Sequence, residues 1–275
     1  MNENILEIKN LNVYFREKNN NIKIIDNVSF SIKEGECLGI LGESGSGKSM
    51  TIKSILRLLD NNFHVEGKAF FNDIDLIKES AGNIRKLRGN DICMILQNPM
   101  TCFDPLYRIY NQMEETFAEH TNLNKEEIYK KCIDTLNIMK IRNPEDTIKK
   151  YPHQLSGGML QRIMIGLALS LNPKLLIADE PTTAIDSISQ NAIMNEFIRI
   201  KKENKVSMLF ISHDLGILSK ISDKMIVMKK GKILENASVA DIIFNSKDDY
   251  TNSLVSKRMS VMKKFNEIVY GDKIS

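Results

Sequence analysis

Eight consecutive residues, Gly42-Glu43-Ser44-Gly45-Ser46-Gly47-Lys48-Ser49, constrain this chain more than any other stretch. They fit the pattern G-x-x-x-x-G-K-[ST] in full, and they stand where that pattern has physical meaning, between an apolar run and a helix start. Cys37 to Leu41 is uninterrupted by polar groups, as expected of a strand buried on both faces of a parallel sheet. Lys48 to Leu59 reads as the helix that follows. The glycines let successive backbone N–H groups curl around phosphate oxygens, and the helix start adds a partial positive charge. Lys48 is expected to reach the β- and γ-phosphates of a nucleotide, the Ser49 hydroxyl to ligate Mg²⁺, and Met50 to border the same site. A Gly/Ser turn that precedes a helix by accident matches neither the lysine nor the hydroxyl.

A second element has the matching chemistry. Lys174 to Asp179 is a short apolar strand that ends in Asp179-Glu180, so two carboxylates fall at the carboxyl edge of a parallel sheet, where ligands of such folds bind. Asp179 is the expected Mg²⁺ partner, through water, and Glu180 is placed to orient and polarise an attacking water. A charged strand end alone says little; downstream of a phosphate loop it completes a P-loop NTPase.

The rest of the chain fits around these two motifs. Leu6 to Phe15 partly alternates and reads as a strand, Lys18 to Asn21 as a polar turn, and Ile22 to Ile32 as two short strands. Pro99 to Leu155 is more polar and largely helical in pattern, with a stop at Asn143-Pro144. Parallel-sheet patterning resumes with Lys174 to Asp179, a helix from Ser187 to Asn204, and the strand Ser207 to Ile211, before a hairpin around Lys230-Gly231. This order predicts an α/β fold: a P-loop NTPase core with a mainly parallel sheet, an antiparallel β subdomain and a helical subdomain. The expected division is a core of residues 1–98 and 156–240, a helical subdomain of 99–155 and a helical tail of 241–275.

Composition excludes several function classes. With 38 basic and 35 acidic side chains, the formal charge of +3 does not favour nucleic acid as a partner. No stretch approaches the roughly 20 apolar residues that span a bilayer, and the N-terminus lacks a charged-then-apolar leader. Cys37, Cys93, Cys102 and Cys132 are scattered, without the spacing of a zinc site or disulfide frame. His64, His120, His153 and His213 likewise have no ligand spacing, and the 14 methionines read as core filler.

Leu155-Ser156-Gly157-Gly158-Met159 narrows the class further. With Tyr151-Pro152-His153-Gln154 before it and Leu160-Gln161-Arg162 after it, the stretch resembles the signature loop L-S-G-G-Q of the ABC ATPase family. The resemblance covers nearly the whole chain. It implies ATP as substrate with Mg²⁺, and it implies that Ser156, Gly157 and Gly158 serve the nucleotide held by an opposite subunit. Met159 stands where glutamine is common, which puts any ribose or cross-interface contact from that position in doubt. Gln97 matches the Q-loop residue that senses Mg²⁺ and water, and His213 the switch histidine that contacts the γ-phosphate. Thr183-Ala184-Ile185-Asp186 matches the D-loop, and Phe15, with Tyr14 as the alternative, the aromatic that stacks on adenine.

The finer resemblance is to ATP-binding subunits of nickel, dipeptide and oligopeptide importers, carried by Gln97-Asn98-Pro99-Met100, Phe103-Asp104-Pro105-Leu106 and Ile177 to Thr183. Met159-Leu160 is most similar to the D-type subunit of nickel or metal–metallophore importers. Tyr250-Thr251-Asn252-Ser253-Leu254 is similar to the group's C-terminal motif, with Asp248-Asp249 where His-Pro is common. The resemblance implies a chain at the cytoplasmic face of the cell membrane, held there by partners. Those partners are a second, sibling ATPase subunit, two integral membrane permease subunits and an external solute-binding protein. The solute it implies is nickel or a metal–metallophore complex, with small peptides as the alternative. A stand-alone ABC ATPase acting on ribosomes or DNA fits less well, because the cassette is single and uninterrupted by a coiled coil. Met259, Met262, Phe265 and Ile268, near helical spacing, read as a face packed on the chain's own domain or on a partner.

Overall fold

The structure, a computed structural model, describes residues 3–17, 20–183 and 185–270, apart from the side chains of 187–189 and 260–270. Lys18, Asn19 and Ala184 therefore lie outside the described residues, as do the side chains of Met262, Phe265 and Ile268. The chain forms two compact units, Met1–Ser80 with Leu209–Ser275, and Ala81–Met208. The first unit opens with β1 (Asn4–Glu17), β2 (Asn20–Lys33), β3 (Cys37–Leu41), α1 (Lys48–Ile55), β4 (Phe63–Phe71) and β5 (Ile74–Asp75). The second unit holds α2 (Ala81–Leu87), β6 (Ile92–Ile95), α3 (Ile109–His120), α4 (Lys125–Ile138), α5 (Pro144–Thr147), α6 (Gly157–Ser170), β7 (Leu175–Asp179) and α7 (Ser187–Asn204). The chain returns to the first unit along β8 (Ser207–Ile211). It ends with α8 (Leu215–Ile221), β9 (Lys224–Lys229), β10 (Lys232–Ser238), α9 (Val239–Phe244) and α10 (Asp249–Tyr270).

In the first unit β2, β1, β4 and β5 form an antiparallel sheet in that order. Leu6, Ile8, Leu11 and Val13 of β1 and Ile25, Val28, Phe30 and Ile32 of β2 are buried. Their uneven spacing marks bulges: the β1–β2 register shifts around Leu11, and Asn27 takes a φ of 53°. Asn12 Oδ1 accepts from the Asn27 N–H at 2.9 Å and holds the irregularity in place. This is why residues 22–32 form one continuous strand instead of the two short ones expected. The same unit contains a second set of strands in the order β10-β9-β3-β8, with β3 and β9 parallel. Every residue of β3 is buried, so its unbroken apolar run has core on both faces.

Helix α1 ends four residues before the expected Leu59. Arg57 turns left-handed at φ 53°, and the Leu58 N–H donates back to the Lys53 carbonyl at 2.7 Å. That is a Schellman-type ending, which apolar periodicity does not reveal.

In the second unit β6 and β7 pair in parallel, with Ile95 opposite Ala178, so both strands end at one edge. Residues 99–155 supply α3, α4 and α5, whose buried faces include Met113 and Phe117, and Ile128, Cys132 and Leu136. Asn124 and Glu127 form a capping box that starts α4. The cysteines are free, and burial pushes the Cys93 and Cys132 thiols up to about 12, so both remain protonated at neutral pH. Among the described residues no helix is long and apolar enough to cross a membrane.

Candidate functional site

The first unit builds a phosphate-sized cradle from β3, α1 and the turn between them. Gly47 stands at the N-cap of α1 with φ 104°, a conformation that glycine adopts without strain. A Cβ there would lie 2.7 Å from Ile25 Cδ1, a side-chain end that can shift, and 3.2 Å from Gly231 Cα, which is backbone. The chain curls over, with the Ser46 N–H donating to the Glu43 carbonyl at 3.2 Å. Lys48 is buried, and its Nζ donates to the Gly42 and Glu43 carbonyls at 2.8 and 2.9 Å. The ammonium thus lies across the mouth of its own loop, on neutral oxygens that an anion's oxygens can replace. Ser46 Oγ is buried with no hydrogen-bond partner among the described residues, a polar atom facing the loop without a donor or acceptor of its own. A cradle that carries a buried cation and an unsatisfied hydroxyl fits a phosphate chain.

Other expected residues of this unit lie on β1 and after β8. Phe15 packs its ring against Phe63 with centroids 5.1 Å apart, and Tyr14 lies beside His64 at 6.3 Å. Both rings are half-buried, and Lys23 Nζ sits 5.6 Å from the Tyr14 centroid. His213 is exposed in the turn from β8 into α8. Its flanks are fixed: Ser212 Oγ accepts from the Asp214 N–H at 2.9 Å, and Asp214 Oδ1 caps α8 by accepting from Gly216 and Ile217.

The second unit contains the carboxylates and the signature loop. Asp179 and Glu180 are both buried at the end of β7, and Gln97 is exposed just past the end of β6. The β6–β7 register therefore puts Gln97, Asp179 and Glu180 at one sheet edge. Glu180 has φ 49°, left-handed for a non-glycine residue, a conformation that costs about 1–3 kcal/mol and persists only where the surroundings enforce it. The Glu180 carbonyl accepts from Thr183 Oγ1 at 3.1 Å, which closes the turn into residues 185 and 186. Ser156 is the N-cap of α6, its Oγ accepting from the Met159 N–H at 3.3 Å. Ser156 and Gly157 are exposed, so the start of this helix is open to solvent. Met159 leaves that backbone geometry intact. Asp186 is exposed and its carbonyl accepts from the Gln190 N–H at 2.8 Å in the first turn of α7.

Sequence reasoning missed two residues that lie against the phosphate loop. Gly231, read only as a hairpin residue, donates its N–H to the Ser46 carbonyl at 2.9 Å and accepts from the Asp26 N–H at 2.9 Å. With Lys230 at φ 46° and Gly231 at φ 77°, the β9–β10 connection is a type I′ turn whose tip braces the loop. The adjacent Lys-Gly pair marked the turn, but nothing in it announced the loop. The second is Tyr250 on α10, a neighbour of Glu43. Burial and the Glu43 carboxylate push its phenol up, and Lys229 Nζ sits 4.0 Å from its ring centroid.

A glycine-cradled loop between a buried parallel strand and a helix, with a paired-carboxylate strand end elsewhere in the chain, defines a P-loop nucleotide-binding protein. Residues 25–183 match the ABC transporter family, and the chain belongs to that family as an ATP-binding, ATP-hydrolysing subunit. It is 41% identical over 249 residues to the metal-staphylopine import system ATP-binding protein CntD of Staphylococcus aureus, covering 90% of this chain and 92% of that one. It is 40% identical over 254 residues to the oligopeptide transport ATP-binding protein AppD of Bacillus subtilis, covering 92% of this chain and 77% of that one. Among solved structures it resembles the ATP-binding cassette MJ0796, a dimer in a post-hydrolysis state bound to ADP and Pi. That likeness has a TM-score of 0.77 and 26% identity over 85% of this chain and 98% of that one.

Proposed function

We propose that this chain energises uptake of a metal–metallophore complex through partner membrane permease subunits, by hydrolysing ATP held between its phosphate loop and the signature loop of a second ATPase subunit. The observation that carries the reading is the cradle itself: Lys48 Nζ sits on the Gly42 and Glu43 carbonyls, where a β,γ-phosphate pair takes their place. Gly42, Glu43, Ser44, Gly45, Ser46, Gly47, Lys48, Ser49 and Met50 form the nucleotide's phosphate site, and Phe15 its adenine shelf. Ser49, Gln97 and Asp179 offer a hydroxyl, an amide and a carboxylate, the hard oxygen donors that suit Mg²⁺. Mg²⁺, when bound, neutralises phosphate charge. Glu180 accepts the proton of the attacking water, Gln97 orients that water, and His213 donates to the γ-phosphate oxygens. Asp186 and residues 156–158 act on the opposite subunit's nucleotide.

ATP then links the pair, and loss of its γ-phosphate releases it, an order-and-release switch at an interface. The reading places the chain peripherally on the cytoplasmic membrane face, with a sibling ATPase, two permeases and an external solute-binding protein as partners. Similarity to CntD over nine-tenths of the chain supports metal–staphylopine as the cargo. The nearly equal similarity to AppD supports oligopeptides as the second reading.

The test is Glu180→Gln in the assembled transporter. Expected are ATP affinity within about twofold of wild type and turnover lowered about a thousandfold, with a closed ATP-bound pair accumulating. Undiminished turnover removes Glu180 as the base. Stimulation of the wild-type ATPase by solute-binding protein loaded with metal–staphylopine, against the same protein offered peptides, decides the cargo.

A further inference from the structure

Helix α6 contains a buried amide that the reading above leaves without a role. Gln161 is fully buried, one turn beyond the exposed Ser156 and Gly157. Its Nε2 donates to the Pro181 carbonyl at 2.8 Å and approaches the Leu96 carbonyl at 3.5 Å. Its Oε1 is buried with no hydrogen-bond partner among the described residues. A leucine or methionine would fill the same space without leaving an oxygen unpaired, so what this side chain contributes is its N–H donor.

Both acceptors are informative. Pro181 follows Glu180, and Leu96 precedes Gln97. Proline has no N–H, so the backbone beyond Glu180 is held through carbonyls: Glu180's by Thr183, and Pro181's by Gln161. Those two bonds fix the backbone immediately after the residue whose φ of 49° needs enforcement. The contact to Leu96 reaches the adjacent strand end, where Gln97 begins. One amide on the signature helix therefore touches the backbone on either side of the hydrolytic edge.

We infer that Gln161 is a positioning residue that ties the signature helix to Glu180 and Gln97, so that engagement of the partner's nucleotide at Ser156 sets this chain's own water-activating groups. The inference rests on Glu180 and Gln97 having the roles proposed above. Residues 156–158 serve one nucleotide, and the sheet edge serves the other. A shift of α6 on closure carries the Nε2 donor with it, and the two carbonyls follow. The amide is a strut between the two sites.

The test uses Gln161→Met and Gln161→Leu in the assembled transporter, with Glu180→Gln in parallel. Expected for the Gln161 variants is kcat lowered about ten- to a hundredfold, because the base is misplaced by a fraction of an ångström. Nucleotide affinity and KM should stay within about twofold of wild type, since the phosphate loop is untouched. The melting midpoint should also hold. A kcat near wild type in either variant overturns the inference, as does a fall in kcat matched by equal losses in nucleotide affinity and melting midpoint. Failure of both variants to fold shows a structural role only and also overturns it. Should Glu180→Gln keep its turnover, the functional reading fails instead, and the two failures are told apart.

Discussion

A Cβ added to Gly231 would stand 2.0 Å from the Ile24 carbonyl oxygen and 3.2 Å from Ile25 Cα, all backbone that no rotamer change can move. The residue also sits at φ 77°, where alanine is strained. Gly231→Ala is therefore expected to lower stability by about 2 kcal/mol or more, measured by urea unfolding. Because the Gly231 N–H holds the Ser46 carbonyl, ATP affinity should fall in the same variant; Gly45 has the same left-handed φ, at 79°, but an added Cβ there meets nothing within 4 Å, so it matches the backbone strain and lacks the clash. Gly45→Ala is expected to retain more ATP binding than Gly231→Ala, although Gly231 lies outside the loop. Equal affinities in an isothermal titration of the two variants would show that the hairpin does not brace the loop. Gly231 thus bears on the phosphate loop through packing, which no local pattern records.

At the scale of elements, what the sequence disclosed followed from periodicity and chemistry, and what it hid followed from pairing. The runs Cys37–Leu41, Leu175–Asp179 and Ser207–Ile211 were legible because strands buried on both faces are apolar without interruption. The phosphate loop was legible because glycine, lysine and hydroxyl occur at fixed offsets. The continuity of β2 was not, since a bulge held by Asn12 breaks the alternation that marks a strand. Nor was β4 read as a strand, because His64, Glu66 and Lys68 sit among its apolar residues and only its pairing with β1 identifies it. The C-terminal segment shows the same limit. Glu235 on β10 accepts from Ser246 Oγ at 2.7 Å and from the Lys247 and Asp248 N–H groups at 2.6 and 3.2 Å, which fixes the entry to α10. Burial pushes the Glu235 carboxyl up, but these hydrogen bonds outweigh it and hold the group below its ordinary value of 4.5. A depressed folded value contributes stability above the unfolded one and loses it as pH falls through the folded one. Hydrogen exchange at Lys247 and Asp248 should accordingly stay slow at pH 7 and accelerate below about pH 4.5, beyond the intrinsic pH effect. In Glu235→Gln the amide has one acceptor oxygen in place of two, so exchange should be faster at pH 7 and lack that acid step. Identical profiles for the two proteins would mean that Glu235 does not anchor α10.

For the whole molecule, the proposed pairing with a second ATPase subunit means that one chain contributes to two nucleotides, and single substitutions should separate the contributions. Lys48 is buried within its own loop, whereas Ser156 and Gly157 are exposed at the start of a 14-residue helix. Lys48→Ala removes the cation that meets the phosphates, so photolabelling of this subunit by an azido-ATP should fall about tenfold or more in the assembled transporter. Ser156→Ala should leave that labelling unchanged, because in the proposed pairing the hydroxyl serves the other subunit's nucleotide, but it costs the complex a donor to that subunit's γ-phosphate. Turnover should drop by about ten- to a hundredfold, and the lost events should be those at the partner's loop. Ser156 also caps α6, and losing a cap costs about 1 kcal/mol, so Ser156→Asn, which caps as well as serine, separates the two effects. If turnover is low in both Ser156 variants while labelling of this chain holds, the hydroxyl acts across the interface. Recovery in Ser156→Asn would instead make the residue a helix cap. A loss of this chain's own labelling in Ser156→Ala would place both loops on one nucleotide, and the paired arrangement would have to be abandoned.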